Sequence, residues 1–213
     1  MDRLTVTDDS TAVIAAAILA GGDSLRMGKD KAVLGDDGSS HIERQVSDLR
    51  DLSQSLPIYI CSGSRRYEAL NPYDVLHLPD LIHSAGPLGG VAKALDTAET
   101  AGLVKGYVLV LPTDSLIPPS HVYGRLTDTT PANAEVVLLR GEHLHPLHGL
   151  FSVALASCIK DYVESGGRSV MGFLDHRSWT AVNVPAVWEP CLNFNTPEEY
   201  ERAQAAFAQA TCV

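Results

Sequence analysis

The sequence predicts an α/β fold of three layers, α/β/α, with a mainly parallel central sheet. Short apolar segments typical of buried strands alternate along the chain with longer segments whose apolar residues recur at helical spacing. The chain has 213 residues, of which 45% are apolar, and this is enough for one domain with a large core. Sheets of this kind bind ligands beyond the carboxyl ends of their strands, so we expect the functional residues in the loops that follow strands.

The first strand is expected at residues 12–19, because the sequence AVIAAAIL is short, apolar throughout and followed by Gly21 and Gly22. The residues before it, 1–11, are mostly polar and are expected to form a flexible N-terminal tail. We expect the remaining residues, 12–213, to form a single domain.

The first helix is expected at 40–56, where Ser40 and Glu43 form a capping-box pattern before apolar residues at helical spacing. The last helix is expected at 197–210, with Thr196 as its N-cap and a proline in the first helical position. Two further helices are expected at 89–97 and 154–164, and further strands at 57–61, 75–78, 107–111, 135–139 and 180–184.

The charge and the cysteines exclude several classes of protein. Lys and Arg total 16 while Asp and Glu total 26, which gives a net charge of −10. Nucleic-acid binders and proteins of anionic membranes need a basic face, so we expect neither nucleic acid nor membrane as a partner. No apolar run is long enough to span a bilayer, and the acidic start does not fit a signal peptide. The four cysteines are widely spaced, which disfavours a disulfide scaffold or a zinc site and favours a cytoplasmic location.

The loop after the first strand, residues 19–31, has the sequence LAGGDSLRMGKDK. Gly21 and Gly22 allow a tight turn in which backbone N–H groups can surround an anion. Arg26 can make forked hydrogen bonds to phosphate oxygens, and Lys31 can add a point charge. The composition indicates a phosphate-binding loop, and an ordinary glycine turn with solvated charges is the alternative.

Two common phosphate loops do not fit this segment. A Walker A loop needs a glycine five residues before Gly28 and a Ser or Thr after Lys29, but Asp23 and Asp30 stand at those positions. A GxGxxG dinucleotide-binding pattern is also absent.

The loop instead matches every specified position of the motif LAGGxSxRMGxDK. By this motif the chain resembles the molybdenum cofactor guanylyltransferases, within the wider nucleotidylyltransferase superfamily. The resemblance implies a Rossmann-like nucleotidyltransferase fold and a loop that wraps a nucleoside triphosphate. The glycine at position 22 is typical of guanylyl transfer, whereas cytidylyl relatives usually carry alanine there, so GTP is the expected nucleotide. The resemblance assigns nucleotide binding to Leu19, Ala20, Gly21, Gly22, Ser24 and Lys31, and catalysis to Arg26, Lys31 and Asp114.

A second glycine-rich turn occurs in the sequence DLIHSAGPLGG, residues 80–90. Considered alone, its Gly-Pro pair is explained by a strand-to-helix turn. The resemblance implies that the turn holds the guanosine part of the nucleotide through Asp80, Gly86, Pro87 and Leu88. Many relatives also carry an asparagine after the second strand, but this chain has CSGSRR at 61–66, where only Ser62 or Ser64 can substitute.

Asp114 follows the apolar strand YVLVL, and a carboxylate at the end of a strand is well placed for Mg²⁺. A loop-capping role is the alternative. The resemblance implies that Asp114 is the metal-binding aspartate of a motif similar to CDxPxxP. Thr113 and Leu116 replace the usual Cys and Pro of that motif, so the shape of the loop is left open.

Three histidines lie close together at His143, His145 and His148. Their spacing, with Pro146 between them, does not give the i, i+4 helical geometry of a zinc site, and no cysteine is near. The resemblance implies that His145 and Pro146 contact the pterin substrate. Solvated loop histidines are the alternative.

Two segments near the C-terminus complete the motifs. Arg168, in SGGRSV, is implied to meet the pterin phosphate, and a surface charge at a helix start is the alternative. The segment NFNTPEE resembles NxNTPED of the family, with Glu199 in place of the final Asp. The resemblance places Asn193 and Asn195 in the cleft, where their amides can hold the pterin or the metal-bound phosphates.

The resemblance implies transfer of GMP from GTP to the terminal phosphate of molybdopterin, with or without molybdenum, and release of diphosphate. Mg²⁺ is the expected cofactor, and a protein that delivers the pterin or a molybdoenzyme that receives the product is a further expected partner. Three alternatives stay open: a cytidylyl or other nucleotidyl transfer by the same fold, a nucleotide-binding module without catalysis, and an interaction protein that binds no GTP.

Overall fold

The computed structural model describes residues 12–21, 30–35, 38–80, 85–128, 131 and 133–210. Seven strands form one sheet. The strands are β1 (Val13–Leu19), β2 (Ile58–Cys61), β3 (Leu76–Leu78), β4 (Tyr107–Pro112), β5 (Val136–Arg140), β6 (Leu144–Ser152) and β7 (Trp179–Asn183). The helices are α1 (His41–Leu52), α2 (Pro87–Thr100), α3 (Pro119–Thr127), α4 (Ala156–Glu164), α5 (Val170–Leu174) and α6 (Pro197–Ala210). The N-terminal tail expected at 1–11 lies outside the described residues.

The strand order is β3-β2-β1-β4-β6-β5-β7. Four of the six neighbouring strand pairs run parallel, and β6 is antiparallel to both of its neighbours, β4 and β5. The predicted α/β fold with a mainly parallel sheet is therefore confirmed. The sequence did not predict β6, since histidines and a proline interrupt the apolar pattern of its first half.

The sheet is buried on both faces by helices. Along β1, Ala16 and Ile18 point to the core under α1, α3 and α6, while Ala15 and Ala17 point to the core under α2, α4 and α5. All four side chains are fully buried. A parallel strand covered on both sides needs apolar residues at every position, which explains the unbroken apolar run of this segment.

Helix boundaries follow local chemistry. Ser40 caps α1, and its capping box with Glu43 forms as predicted. The helix ends at Leu52 and does not reach residue 56 as expected, because Ser53 has extended backbone with φ of −156° and ψ of 124°. Helical geometry is also disfavoured at Leu56, the residue before Pro57. The non-helical segment that follows α1 is fixed by Arg50, whose guanidinium donates to backbone carbonyls at Gln54 and Leu56.

The carboxyl ends of the two central strands lie side by side, with Leu19 of β1 opposite Pro112 of β4. From this point the sheet extends through β2 and β3 on one side and through β6, β5 and β7 on the other. A crevice forms where strand order reverses in this way, and ligands bind there in open α/β sheets. Among the described residues, no helix is long and apolar enough to cross a membrane.

Candidate active site

Lys31, Asp114 and Asn195 meet at the crevice between β1 and β4. The Lys31 ammonium lies 3.2 Å from Oδ2 of Asp114 and 2.9 Å from Oδ1 of Asn195. Asp114 comes two residues after β4, Lys31 opens a short 3₁₀ turn beyond β1, and Asn195 precedes α6. The structure thus brings together three site residues that the sequence predicted from three separate motifs.

The surroundings of Asp114 make its charge sensitive to cations. Burial raises the pKa of the Asp114 carboxyl above its usual value, and the Lys31 ammonium opposes that increase. The Lys31 side chain is only 13% exposed. A carboxylate in this position gains from a nearby cation, because attraction between charges strengthens as water is excluded.

The loop that carries Asp114 is held from two sides. The Thr113 hydroxyl and backbone N–H both lie 3.3 Å from the Leu19 carbonyl oxygen, which ties the loop to β1. The Leu116 N–H donates to the Cys191 carbonyl at 2.8 Å. Thr113 and Leu116, which depart from the family pattern, therefore anchor the loop on both sides of Asp114.

Asn195 is oriented by its own segment. Its backbone N–H donates to Oε2 of Glu199 at 2.6 Å, and its side-chain amide donates to Oδ1 of Asn193 at 3.2 Å. Between the two asparagines, Phe194 donates its N–H to the Asp114 carbonyl at 2.9 Å and is itself fully buried. The Lys31 ammonium lies 5.6 Å from the centre of the Phe194 ring, which adds a cation–π contact.

Asp30 positions the segment that carries Lys31, although the sequence assigned it no role. One carboxylate oxygen accepts the Ala32 N–H at 3.0 Å and caps the 3₁₀ turn. The other lies 3.1 Å from the Tyr67 hydroxyl and 3.4 Å from the Arg65 guanidinium. An aspartate directly before a short turn is a typical N-cap, but no local pattern identifies its partners beyond β2.

Residues 19–31 form the predicted nucleotide loop, and the part of it that the structure describes after β1 lies against the end of β2. The Ala20 N–H donates to the Cys61 carbonyl at 2.9 Å, and the Ala20 carbonyl lies 3.1 Å from the Tyr67 hydroxyl. A Cβ on Gly21 would come within 3.4 Å of the Cys61 carbonyl. Leu19 is buried at the end of β1. The other predicted loop residues, Gly22, Ser24 and Arg26, lie outside the described residues.

Asp80 and the start of α2 lie on the same side of the crevice as β2 and β3. The exposed Asp80 carboxylate packs on Gly63, where an added Cβ would lie 2.9 Å from Oδ2. Gly86 has φ of 67° and precedes Pro87, the first residue of α2. The Leu88 side chain is fully buried, so only its backbone can face a ligand.

The close approach of α2 to the sheet fixes the position of that turn. A Cβ on Gly90 would lie 3.0 Å from the Leu19 side chain and 3.2 Å from the Cys61 side chain. Of the two serines considered as substitutes for the family asparagine, Ser62 donates its hydroxyl to the Arg65 carbonyl at 2.8 Å. The hydroxyl of Ser62 is thus used within its own turn.

A cavity of about 220 Å³ opens on the other side of Asp114, toward β6. His145 and Pro146, predicted to contact the acceptor substrate, line it together with Asn193. Burial lowers the pKa of His145, and Glu189, whose Oε1 lies 3.7 Å from Nε2, opposes that decrease. The cavity is lined by Pro112, Asp114, His143, Leu144, His145, Pro146, Leu147, His148, Leu192 and Asn193.

Arg168 was also predicted as a site residue, but its described contacts are with the end of α4 and not with the other site residues. Its guanidinium donates to the carbonyls of Val163 and Gly167, at 2.9 and 2.8 Å. These contacts cover the carboxyl end of α4, and a cation there is favourable because the last carbonyls of a helix are unpaired.

The oxygen atoms around Asp114 suit a divalent cation bound together with a phosphate. Among the described residues, no group of three His, Cys, Asp or Glu side chains could hold a metal ion. Mg²⁺ usually takes one or two carboxylates and completes its shell with water and substrate phosphates. The Asp114 carboxylate and the amide oxygen of Asn195 both contact the Lys31 ammonium, so two oxygen atoms of the kind that Mg²⁺ prefers lie close together here.

Comparison with known proteins agrees with this arrangement. Residues 16–178 match the family model of the MobA-like NTP transferase domain. A molybdenum cofactor guanylyltransferase of Rhizobium meliloti (strain 1021) is 29% identical over 199 residues, which cover 89% of this chain and 90% of the relative. A molybdenum cofactor guanylyltransferase of Rhizobium leguminosarum bv. trifolii (strain WSM2304) is 31% identical over 204 residues, which cover 90% of this chain and 91% of the relative.

A solved structure has the same fold. Molybdopterin-guanine dinucleotide biosynthesis protein A from Archaeoglobus fulgidus superposes with a TM-score of 0.68 at 18% identity, over 92% of this chain and 99% of that chain. Since the family model covers most of the sequence, the chain belongs to the MobA-like NTP transferase family and is a nucleotidyltransferase.

Proposed function

We propose that the protein transfers GMP from GTP to the terminal phosphate of molybdopterin, giving the guanine dinucleotide form of the cofactor and diphosphate. The observation that carries the proposal is the position of the Lys31–Asp114 pair, 3.2 Å apart, between a nucleotide loop and a separate cavity. The relatives named as molybdenum cofactor guanylyltransferases over about nine-tenths of the chain support this choice of substrates.

The two sides of Asp114 suit two different substrates. On the side of β2 and β3, Gly21, Asp80 and Gly86 surround the expected site of GTP. The Asp80 carboxylate can accept paired N–H bonds from guanine or bond to ribose hydroxyls. On the side of β6, the cavity lined by His145 and Asn193 is the expected site of the acceptor. The α-phosphate of GTP and the terminal phosphate of the acceptor then meet at Asp114.

The chemistry needs charge neutralisation more than a nucleophile from the protein. The terminal phosphate of the acceptor is already anionic, so it can attack the α-phosphorus directly and displace diphosphate. The main difficulty is the approach of two anions, in a protein whose net charge is −10. Lys31 offers a positive charge at the crevice, and we assign Arg26 the same role at the triphosphate. The rest of the rate enhancement comes from positioning.

Asp114, with the amide oxygens of Asn193 and Asn195 nearby, would hold a divalent cation, which we propose is Mg²⁺. Such a cation supplies charge neutralisation to the phosphates and to the leaving diphosphate. Lys31 donates to the Asp114 carboxylate and to the Asn195 amide oxygen, and so holds the carboxylate at the crevice.

Diphosphate release tests the proposal when GTP, CTP, ATP and UTP are offered in parallel with Mg²⁺ and molybdopterin. Release with GTP alone is the expected result. Release with CTP alone would keep the reaction and replace the base assignment. Binding of GTP without release of diphosphate would favour a nucleotide-binding module, and absence of GTP binding would favour an interaction protein.

A further inference from the structure

The cavity beside Asp114 owes its shape to an irregularity between β5 and β6. Leu138 pairs with Gly149, but the next residue, Leu139, pairs with His145. Residues 146–148 therefore have no partner on β5 and bulge out of the ladder. Bulges are common beside active sites, where they turn side chains away from the direction that regular pairing would give them.

Gly149 permits the bulge at its inner end. A Cβ there would lie 2.5 Å from the Val137 carbonyl and 2.6 Å from the Leu138 side chain, so only glycine fits without a shift of the neighbouring strand. The residue next to it, His148, lines the cavity together with Asp114 and Asn193.

His148 is 3% exposed, and its Nε2 atom has no hydrogen-bond partner among the described residues. Its ring stands edge-on to that of His145, with centroids 5.7 Å apart. A buried polar atom without a partner is uncommon in native proteins and is often satisfied by a bound molecule. His148 lines the cavity while its Nε2 has almost no accessible surface, so a molecule in the cavity becomes the partner of Nε2 when the ring turns toward it.

Burial and the neighbouring His145 lower the pKa of His148 to about 3, so the ring is neutral at physiological pH. A neutral imidazole has one N–H donor and one acceptor nitrogen. It matches an uncharged polar edge, such as an amide or ring nitrogen of a heterocycle. The phosphate of the acceptor has better partners at Lys31 and Asp114.

We propose that His148 is a specificity residue for the acceptor substrate: its buried Nε2 forms a hydrogen bond with an uncharged N–H, carbonyl or ring nitrogen of the acceptor's heterocycle. The inference rests on the proposed function, since it requires the acceptor to occupy this cavity. It separates two tasks along the acceptor, with Asp114 and Lys31 at the phosphate and His148 at the heterocycle.

Steady-state kinetics of His148→Leu and His148→Gln test the proposal, with molybdopterin and GTP varied separately. Leucine fills the space without a polar atom, and the glutamine amide can place a polar atom near the position of Nε2. Loss of one hydrogen bond predicts that His148→Leu raises the KM for molybdopterin about tenfold while the KM for GTP stays within about twofold of wild type. We expect His148→Gln to recover most of this loss. His176→Leu, at an exposed histidine after α5, is the matched control.

The outcomes separate this inference from the proposed function. If the wild-type protein releases no diphosphate with GTP and molybdopterin, the proposed function fails and the inference falls with it. If the wild type is active, an unchanged KM for molybdopterin in His148→Leu overturns the inference alone. Equal increases in both KM values, or equal losses in the leucine and glutamine variants, would indicate a structural role and would also overturn it. Should His148→Leu fail to fold, the contrast between His148→Met and His148→Gln decides in the same way.

Discussion

At the scale of single residues, the site depends on one ammonium group and one carboxylate, Lys31 and Asp114, which neighbouring groups hold in place. Lys31 contacts a carboxylate, an amide oxygen and an aromatic ring at once. An ammonium held in this way is preorganised for a phosphate, because its position does not have to be paid for by ordering a flexible chain during the reaction. Two residue-scale predictions follow from the Lys31–Asp114 pair.

Replacement of Lys31 by alanine should lower kcat for guanylyl transfer by roughly 10²–10³, as expected for loss of one preorganised charge donor. Lys93→Ala is a suitable control, because Lys93 pairs with Asp96 on α2, away from the crevice. We expect it to keep wild-type kcat. A decrease of less than about threefold in kcat for Lys31→Ala would contradict the role of Lys31, because loss of one preorganised donor costs roughly 10²–10³.

Replacement of Asp114 by alanine should abolish metal-dependent activity, because the carboxylate is the expected anchor of the cation in the crevice. The measurement is the rate of diphosphate release as a function of Mg²⁺ concentration. Asp175→Asn, at the exposed end of α5, should leave that curve unchanged. An unchanged Mg²⁺ dependence in Asp114→Ala would remove Asp114 from the metal site.

At the scale of elements, the nucleotide loop is fastened where it leaves β1 and where it reaches Lys31. The Tyr67 hydroxyl lies 3.1 Å from both the Ala20 carbonyl and the Asp30 carboxylate, either of which can accept its proton. Burial and the nearby Asp30 raise the pKa of Tyr67, so it remains a neutral donor. One buried side chain therefore connects both ends of the loop to the segment after β2.

Tyr67→Phe should lower the free energy of unfolding by about 1 kcal/mol and raise the KM for GTP about threefold or more, because the loop loses the one hydrogen bond that this hydroxyl donates to either of its ends. Urea unfolding and steady-state kinetics measure the two effects. Tyr107→Phe is the matched control, since the Tyr107 hydroxyl donates to the Ala134 carbonyl at the opposite end of the sheet. It should lose similar stability with an unchanged KM for GTP. The same KM for GTP in Tyr67→Phe and Tyr107→Phe would show that Tyr67 acts through stability alone.

Element identities were predictable from the sequence where one pattern dominated a segment. The unbroken apolar run of β1 and the capping box of α1 gave the correct elements. β6 was not predicted, because its first half bulges and its polar residues serve the cavity and not the ladder. The short helices α3 and α5 were also not predicted, because Gly124 interrupts the helical pattern of α3 and the five residues of α5 carry little periodic signal.

At the scale of the whole molecule, the fold brings distant residues into one crevice. Lys31 and Asp114 are 83 residues apart, and Lys31 and Asn195 are 164 apart. The sequence motifs and the family resemblance identified all three, but no local pattern specifies that they touch. The contacts between Asp30, Arg65 and Tyr67 were beyond sequence reasoning for the same reason, because they depend on which strand ends become neighbours.

Two buried histidines predict that the whole protein loses stability in mild acid. Burial lowers the pKa of His41 to about 4 and that of His148 to about 3. Both values are below the unfolded value near 6.5, so between pH 6.5 and 4 the unfolded chain binds more protons than the folded one. Stability is therefore retained above pH 6.5 and falls as the pH decreases through this window.

For each histidine the loss at pH 5.5 relative to pH 7.5 should be about 1.4 kcal/mol, one pH unit below the unfolded pKa. Urea unfolding at the two pH values measures it, and His41→Gln should reduce the difference by about 1.4 kcal/mol. The carboxyls whose pKa is lowered in the fold, such as Glu43, act only below pH 5, which keeps the two effects apart. Equal stability at both pH values would contradict the burial of neutral histidines.

The central claim is that the crevice at Asp114 joins the α-phosphorus of GTP to a phosphate acceptor. Labelled GTP tests this claim most directly, because it shows which phosphate is transferred. The wild-type protein is incubated with molybdopterin, Mg²⁺ and GTP labelled either at the α- or at the γ-phosphate, and the products are separated. We predict that the α-label enters a product containing the pterin and that the γ-label leaves as diphosphate. Entry of the γ-label into the pterin product, or release of the α-label as free GMP without transfer, would contradict this account.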